Sequence, residues 1–271
     1  MSKAPRLLLI GAGKMGGAML EGWLAGGASP ADITVIDPVK SPRMQALAAQ
    51  GLKLSPPVSQ IGMVDVIILA IKPQMLDAAS SLLRTLTHAD TLLISVLAGK
   101  TIADIKLRSP GVKAIVRAMP NTPASVGRGI TGCVASAEVS EDQKALADTL
   151  LRAIGKVEWV PHEDLIDVVT ALSGSGPAYV FHLVECMAVA GIRFGLEPDL
   201  AMRLARATVE GAGELLFQDA ATPADVLREN VTSPGGTTAA ALKVLMAEDG
   251  LEGLMERAIG AARQRAEDLS G

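Results

Sequence analysis

An α/β chain is predicted, with a doubly wound, largely parallel sheet first and an all-helical domain after it. Three observations carry this expectation. Unbroken apolar runs such as Leu7-Leu8-Leu9-Ile10 suit strands buried on both faces of a parallel sheet. Strand and helix signals alternate up to about residue 160, the pattern of a doubly wound domain. After Pro161 strand signals largely vanish and helical periodicity takes over. The division expected is therefore residues 1–161 and residues 162–271.

The bulk composition narrows the function. The length of 271 residues suffices for two domains and a substantial core. Hydrophobic residues make up 49% and aromatics only 2%, so the interior must be built from Ala, Val, Leu, Ile and Met. A net charge of -4 without a long basic tract argues against nucleic acid as the main partner. Cys133 and Cys186 lack metal-ligand spacing and suit a reducing compartment. His88, His162 and His182 show no triad or metal pattern, and no metal is expected. Met1 stands too close to the first strand for a signal peptide. No uncharged apolar run approaches membrane-spanning length. A soluble cytoplasmic protein without a membrane partner is expected.

Taken in order, the first strand runs straight into Gly11-Ala12-Gly13-Lys14-Met15-Gly16, and residues 15–25 read as a helix. The first glycine of this spacing permits the tight turn, the second lets a pyrophosphate approach the backbone, and the third lets helix and strand pack closely. The free N–H groups and dipole at the helix start attract the phosphate charge. A second strand at residues 33–36 ends in Asp37, about 20 residues on, as a Rossmann dinucleotide site requires. There Asp37 accepts hydrogen bonds from the adenosine ribose and repels a 2′-phosphate, which favours NADH over NADPH. Lys40 and Arg43 soften that repulsion. The other reading of Asp37 is a turn aspartate before Pro38.

Residues 65–71 form the next buried strand, which Lys72-Pro73 ends. Ligands of open α/β sheets bind beyond the carboxyl ends of the strands, so Ala70, Ile71, Lys72 and Pro73 should line the cofactor. Lys72 reads equally as a contact or as a solvated loop lysine. Strands at residues 91–96 and 113–117 follow, leading into Leu97-Ala98-Gly99 and into a stiff loop where Pro120 and Pro123 bracket Asn121. Final strands are expected at 129–135 and 157–160, with a helix at 140–154 between them.

In the C-terminal half, residues 162–195 read as one long helix carrying Ser173-Gly174-Ser175-Gly176-Pro177 in its middle. Glycine and proline inside a helix cost about 1 and about 3 kcal/mol. The segment is therefore either a kink or a place where a helix or ligand approaches bare backbone. Helices are expected at 198–218, 223–230, 239–247 and 251–268. The turn Ser233-Pro234-Gly235-Gly236-Thr237-Thr238 offers hydroxyls and free N–H groups at a helix start. It reads as a second anion site sized for a carboxylate, or as an ordinary capped helix. The amphipathic helices carry more apolar surface than about 110 residues can bury alone, which predicts dimerisation.

The chain resembles the pyrroline-5-carboxylate reductases essentially from end to end. The resemblance rests on Gly11 to Gly16, on Ala70-Ile71-Lys72-Pro73 and on Arg117-Ala118-Met119-Pro120-Asn121-Thr122-Pro123. It rests also on Leu172-Ser173-Gly174-Ser175-Gly176-Pro177-Ala178-Tyr179 and on Val231 to Leu242. It implies an N-terminal Rossmann domain with NADPH or NADH as cofactor, and a C-terminal helical domain interleaved with a partner subunit. It further implies active sites completed across a homodimer, with decamers as the larger assembly. The nicotinamide is implied near Val96, Leu97 and Ala98, and the substrate 1-pyrroline-5-carboxylate at Ser233, Gly236 and Thr237, with Asn121 and Asn230 beside them. Thr238 is implied near the imine nitrogen as the catalytic contact. The implied reaction is hydride transfer to the imine carbon to give L-proline, mainly a matter of positioning. Two rivals stand beside it. A β-hydroxyacid dehydrogenase resembles a pattern with a lysine one turn past its glycine motif, which Pro177 to Leu183 lacks. A non-catalytic dinucleotide-binding redox sensor needs no second anion site.

Overall fold

The computed structural model describes residues 4–270, so Met1 and Gly271, the outer limits of the two expected domains, lie outside the described residues. The first half alternates as the apolar runs dictate. The elements are β1 (Leu7–Ile10), α1 (Lys14–Ala25), β2 (Ile33–Ile36), α2 (Pro42–Ala49), β3 (Lys53–Leu54), β4 (Val66–Leu69) and α3 (Leu76–Leu86). They continue with β5 (Leu92–Ser95), α4 (Ile102–Arg108), β6 (Ala114–Met119), β7 (Gly129–Ala135), α5 (Glu141–Arg152), β8 (Gly155–Trp159) and α6 (Leu165–Val169). All eight strands join one sheet in the order β3-β2-β1-β4-β5-β6-β7-β8.

The register puts Leu9 between Val35 and Ile68 at the centre of the sheet. Alternate residues of each strand point to opposite faces. Leu9, Ile68, Ile94 and Val116 pack with Met19, Leu20 and Trp23 of α1 and Leu151 of α5. Leu8, Ile67, Leu93 and Ile115 pack with Leu76 and Leu83 of α3 and Ile105 of α4 on the other face. Both faces are therefore covered, which explains why β1 and β4 are apolar throughout.

The winding departs from a purely parallel sheet at β7, which pairs antiparallel with β6, while β8 is parallel to β7. No α-helix separates Met119 from Gly129. A connection without a crossover helix brings the chain back beside the strand it has just left, so it must reverse direction.

The expected helix at 162–195 is not uniform. After α6 the backbone widens into one π turn at Thr170–Gly174 before α7 (Gly176–Arg193) begins. Thr170 and Ser173 donate their hydroxyls back to the carbonyls of Ile166 and Val169 at 2.7 and 3.0 Å. A side chain at Gly174 would meet Met119 Cε at 2.8 Å. The run is thus interrupted by a π turn, and the group that approaches its bare backbone is a side chain of β6. Pro177 enters in the first turn of α7, where its missing N–H is not needed.

The helical half continues with α8 (Pro198–Gln218), α9 (Ala224–Asn230), α10 (Thr237–Leu245) and α11 (Leu251–Ser270). The chain divides into two compact units. One takes the residues up to Gly174 together with those from Arg263 onward, and the other takes Ser175–Ala262. The sheet unit runs past the expected limit at 161 because α6 packs on β6 and β7, with Ile166 buried.

In the second unit, α7 and α8 meet at Ala188, Ala201 and Ala205. Phe181, Phe194, Leu204 and Leu216 are exposed there. The 29-residue helical run Leu165–Arg193 is long and apolar enough to cross a membrane by length and composition alone. The sequence expectation, based on uncharged runs, did not register it.

Candidate functional site

The carboxyl ends of the parallel strands bring the predicted cofactor segments together. Gly11 N donates to Ile36 O at 2.9 Å and Ala70 N donates to Ile10 O at 2.8 Å. Gly11 has φ +92, in the left-handed region, and an added Cβ would lie 2.7 Å from Ala70 O. Gly16 faces Gly11 O so closely that no Cβ fits. Only glycine meets both demands, one of backbone conformation and one of contact. Above this crowded floor the loop is open. Gly13 has no neighbour within 4 Å of a would-be Cβ, and it starts α1 without a side-chain cap. The first N–H groups of a helix lack intrahelical partners, so Lys14, Met15 and Gly16 here begin a cradle that an anion fits. The helix starts at Lys14, one residue earlier than the periodicity suggested.

Asp37 stands at the end of β2, but its carboxylate is not idle. Oδ2 accepts Ala12 N at 2.6 Å and Oδ1 accepts Val39 N at 2.7 Å. Ser55 brackets it from behind, accepting Asp37 N at 3.3 Å and donating to Asp37 O at 3.0 Å. The turn reading of Asp37 therefore has a physical basis, since the group holds its own turn and the glycine loop at once. Arg43 is engaged elsewhere, in a two-point ion pair with Glu21 at 2.6 and 2.7 Å.

Lys72 is exposed at the turn after β4, and Met75 N donates to its carbonyl at 2.9 Å. Next along the same edge, Val96 N donates to Leu69 O at 3.1 Å and Leu97 N to Ser95 Oγ at 3.4 Å. Ala98 is exposed beside the buried Leu97.

Asn121 is placed differently from expectation. It is buried, its Nδ2 donates to Ser173 O at 3.1 Å, and its Oδ1 accepts Ile130 N at 3.0 Å. Both ends of the amide thus tie the loop after β6 to the π turn and to β7. A second group was read only as part of a motif and given no role. Arg117, on β6, is buried between Glu163 and Asp167. Its place inside an apolar strand was the available signal, because a charge there demands partners.

In the second unit, Gly236 N donates to Ser233 O at 3.0 Å and Gly236 starts α10 without a side-chain cap. The helix begins at Thr237, earlier than the expected 239. Thr237 and Thr238 therefore occupy its first two positions, where backbone N–H groups are unsatisfied. Asn230 closes α9 and is exposed, as is Ser233. Free N–H groups and two hydroxyls thus gather at one helix start, a chemistry that suits a carboxylate.

Two family models match the chain. A family model described as pyrroline-5-carboxylate reductase dimerisation matches residues 163–269. One described as NADP oxidoreductase, coenzyme F420-dependent, matches residues 6–99. A pyrroline-5-carboxylate reductase of Pseudomonas aeruginosa is 38% identical over 98% of this chain and 97% of its own length. One from Synechocystis is 39% identical over 97% of this chain and 98% of its own. Among solved structures, a pyrroline-5-carboxylate reductase from Coxiella burnetii superposes with TM-score 0.89 at 37% identity, covering 99% of this chain and 100% of that one. The Plasmodium falciparum pyrroline carboxylate reductase with NADP bound superposes with TM-score 0.79 at 26% identity, covering both chains fully.

Proposed function

The chain belongs to the pyrroline-5-carboxylate reductase family, and from that premise we propose the residue roles that follow. It is an NAD(P)H-dependent oxidoreductase that reduces 1-pyrroline-5-carboxylate to L-proline, in proline biosynthesis. This sets aside the dehydrogenase and sensor readings.

The observation that carries the site assignment is the glycine cradle. Gly11 and Gly16 leave no room for side chains, and Gly13 opens onto a helix start without a side-chain cap. A dinucleotide pyrophosphate fits that chemistry. We assign its binding to the loop Gly11, Ala12, Gly13, Lys14, Met15 and Gly16, through the N–H groups at the start of α1, since those of Gly11 and Ala12 are already bonded to Ile36 and Asp37. Asp37 keeps a further acceptor site on each carboxylate oxygen, and we assign these to the adenosine ribose. Ala70 to Pro73 and Val96 to Ala98 line the remainder. When bound, the reduced nicotinamide supplies a hydride.

Ser233, Gly236 and Thr237, with Asn230 at the end of α9, hold the substrate carboxylate through hydroxyls and α10 N–H groups. Thr238 hydrogen-bonds the imine nitrogen. An imine protonated on nitrogen is already electrophilic, so the protein contributes position more than acid strength. The apolar run Leu165–Arg193 and the exposed Phe181 serve self-association rather than lipid, and dimers build a decamer in the cytoplasm.

The test is oxidation of NADH and NADPH by the purified protein, with and without pyrroline-5-carboxylate. Imine-dependent oxidation is expected, with NADH usable because of Asp37. Thr238→Ala should lower kcat about 10- to 100-fold, the scale of one hydrogen bond to a charged group, with cofactor binding intact. An unchanged rate would remove Thr238 from the mechanism.

A further inference from the structure

We propose that Arg117 is a positioning residue for hydride transfer. Through Glu163 and Asp167 it holds the connection between β5 and α4, the segment that carries Val96 to Ala98. The inference rests on the assignment of that segment to the nicotinamide.

Arg117 is 3% exposed. Its Nη1 lies 3.1 Å from Glu163 Oε1 and its Nη2 lies 3.3 Å from Asp167 Oδ1. Each carboxylate passes the constraint on. Glu163 Oε1 accepts Ile102 N at 2.7 Å, at the first residue of α4. Asp167 Oδ1 accepts Ser270 Oγ at 3.3 Å, at the last residue of α11. Next to Ser270, Leu269 rests on the connection itself. An added Cβ at Gly99, whose φ is +66, would lie 3.0 Å from Leu269 O. The connection is thus fixed where it enters α4 and covered at Gly99, and both restraints end on one guanidinium.

Helix stability does not explain this arrangement. The start of α4 already has its own capping box, with Asp104 N donating to Thr101 Oγ1 at 3.1 Å and Thr101 N donating to Asp104 Oδ2 at 3.0 Å. Glu163 adds a restraint beyond it. Nor does a buried arginine between two acids give much net stability, because desolvation of the charges cancels most of their attraction. What such a group supplies is geometry. The planar guanidinium presents donors in fixed directions to two carboxylates, which a lysine ammonium cannot reproduce. Hydride transfer is sensitive to that geometry, since a misplacement of about 1 Å can lower a rate about 100-fold.

The experiment compares the full-length wild type with Arg117→Lys and with the milder Ser270→Ala. Three quantities are read: amide hydrogen exchange across residues 96–102, kcat with its isotope effect from cofactor deuterated at nicotinamide C4, and the dissociation constant of the reduced cofactor. For Arg117→Lys, exchange in the segment should accelerate about 10-fold and kcat should fall about 10- to 100-fold. The isotope effect should rise, and cofactor affinity should stay within about 3-fold because the glycine cradle is untouched. Ser270→Ala should move the same quantities the same way, by less, and it decides alone where Arg117→Lys does not fold. A lowered melting temperature with wild-type kcat, isotope effect and segment exchange would show a structural role only and overturn the proposal. Faster exchange with unchanged kcat and isotope effect would overturn it too. An inactive wild type would instead refute the reductase reading. Segment exchange would still judge the brace in that case.

Discussion

Replacing Asn121 by alanine separates a brace from a ligand. The amide makes two hydrogen bonds within the sheet unit, to Ser173 O at 3.1 Å and from Ile130 N at 3.0 Å. The shorter side chain would reach neither partner. A buried group deprived of its partner costs about 1–3 kcal/mol. Ser173 and Ile130 are only half-buried, so the lower part of that range applies, about 1–2 kcal/mol each. The total is about 2–4 kcal/mol, or a drop of about 5–15 °C in melting temperature for a chain of this size. Asn121→Asp should be comparably severe, because a carboxylate can still accept Ile130 N but turns a negative oxygen toward Ser173 O. The assay is thermal unfolding beside the KM for the imine, measured well below the transition. The expected result is a lower melting temperature with an imine KM within about 3-fold of wild type. Asn121→Ala with unchanged melting temperature and a KM raised about 10-fold would refute the brace and restore Asn121 to the substrate contacts.

Two further outcomes follow from the same geometry. Gly11→Ala forces a side chain into left-handed backbone and toward Ala70 O, so titration with reduced cofactor should show affinity lowered at least about 10-fold; unchanged affinity would separate the loop from cofactor binding. Stability should also fall in acid. Hydrogen bonds from Arg6 hold the Asp65 carboxyl below its ordinary value of 3.8, and Arg43 and Arg152 do the same for Glu21 and Asp148. Carboxyls with folded values below their unfolded ones stabilise fully above the unfolded values, near 4, and lose that contribution as pH falls through the folded values. The urea midpoint should therefore be flat from neutral pH to about 5 and decline below about 4, less steeply in Asp65→Asn. An identical decline in that variant would exclude Asp65 as a contributor.

The sheet was legible because a doubly buried strand must be apolar at every position, as Leu7–Ile10 and Val66–Leu69 are. Where burial is slight the signal fades. β3 is two residues, Lys53 and Leu54, and left no trace in the pattern. α10 begins at Thr237, directly after the Gly236 that ends the turn, rather than at the expected 239. The glycine cradle was legible because turn and phosphate chemistry dictate residue type at short spacing. The braces were not. Asn121 meets Ser173 across 52 positions and Arg117 meets Asp167 across 50. No local spacing encodes such pairs, and the fold alone brings them together.

The helical unit raises a different question, namely what holds it folded. Its buried core consists of Ala188, Ala201 and Ala205, with Val184 packed against them. Ordering each residue costs about 1–2 kcal/mol of backbone entropy, which three alanines cannot offset across Ser175–Ala262. The apolar groups that could do so face outward. Phe194 is 91% exposed, Val244 72% and Phe181 64%. Their burial must come from a second copy, in keeping with the dimerisation model that matches 163–269. Folding and association are then one equilibrium, and the melting temperature should rise with protein concentration. Phe181→Glu should weaken the dimer and lower the melting temperature together. A concentration-independent melting temperature in a dilute wild-type series would mean that the helices are stable unpaired.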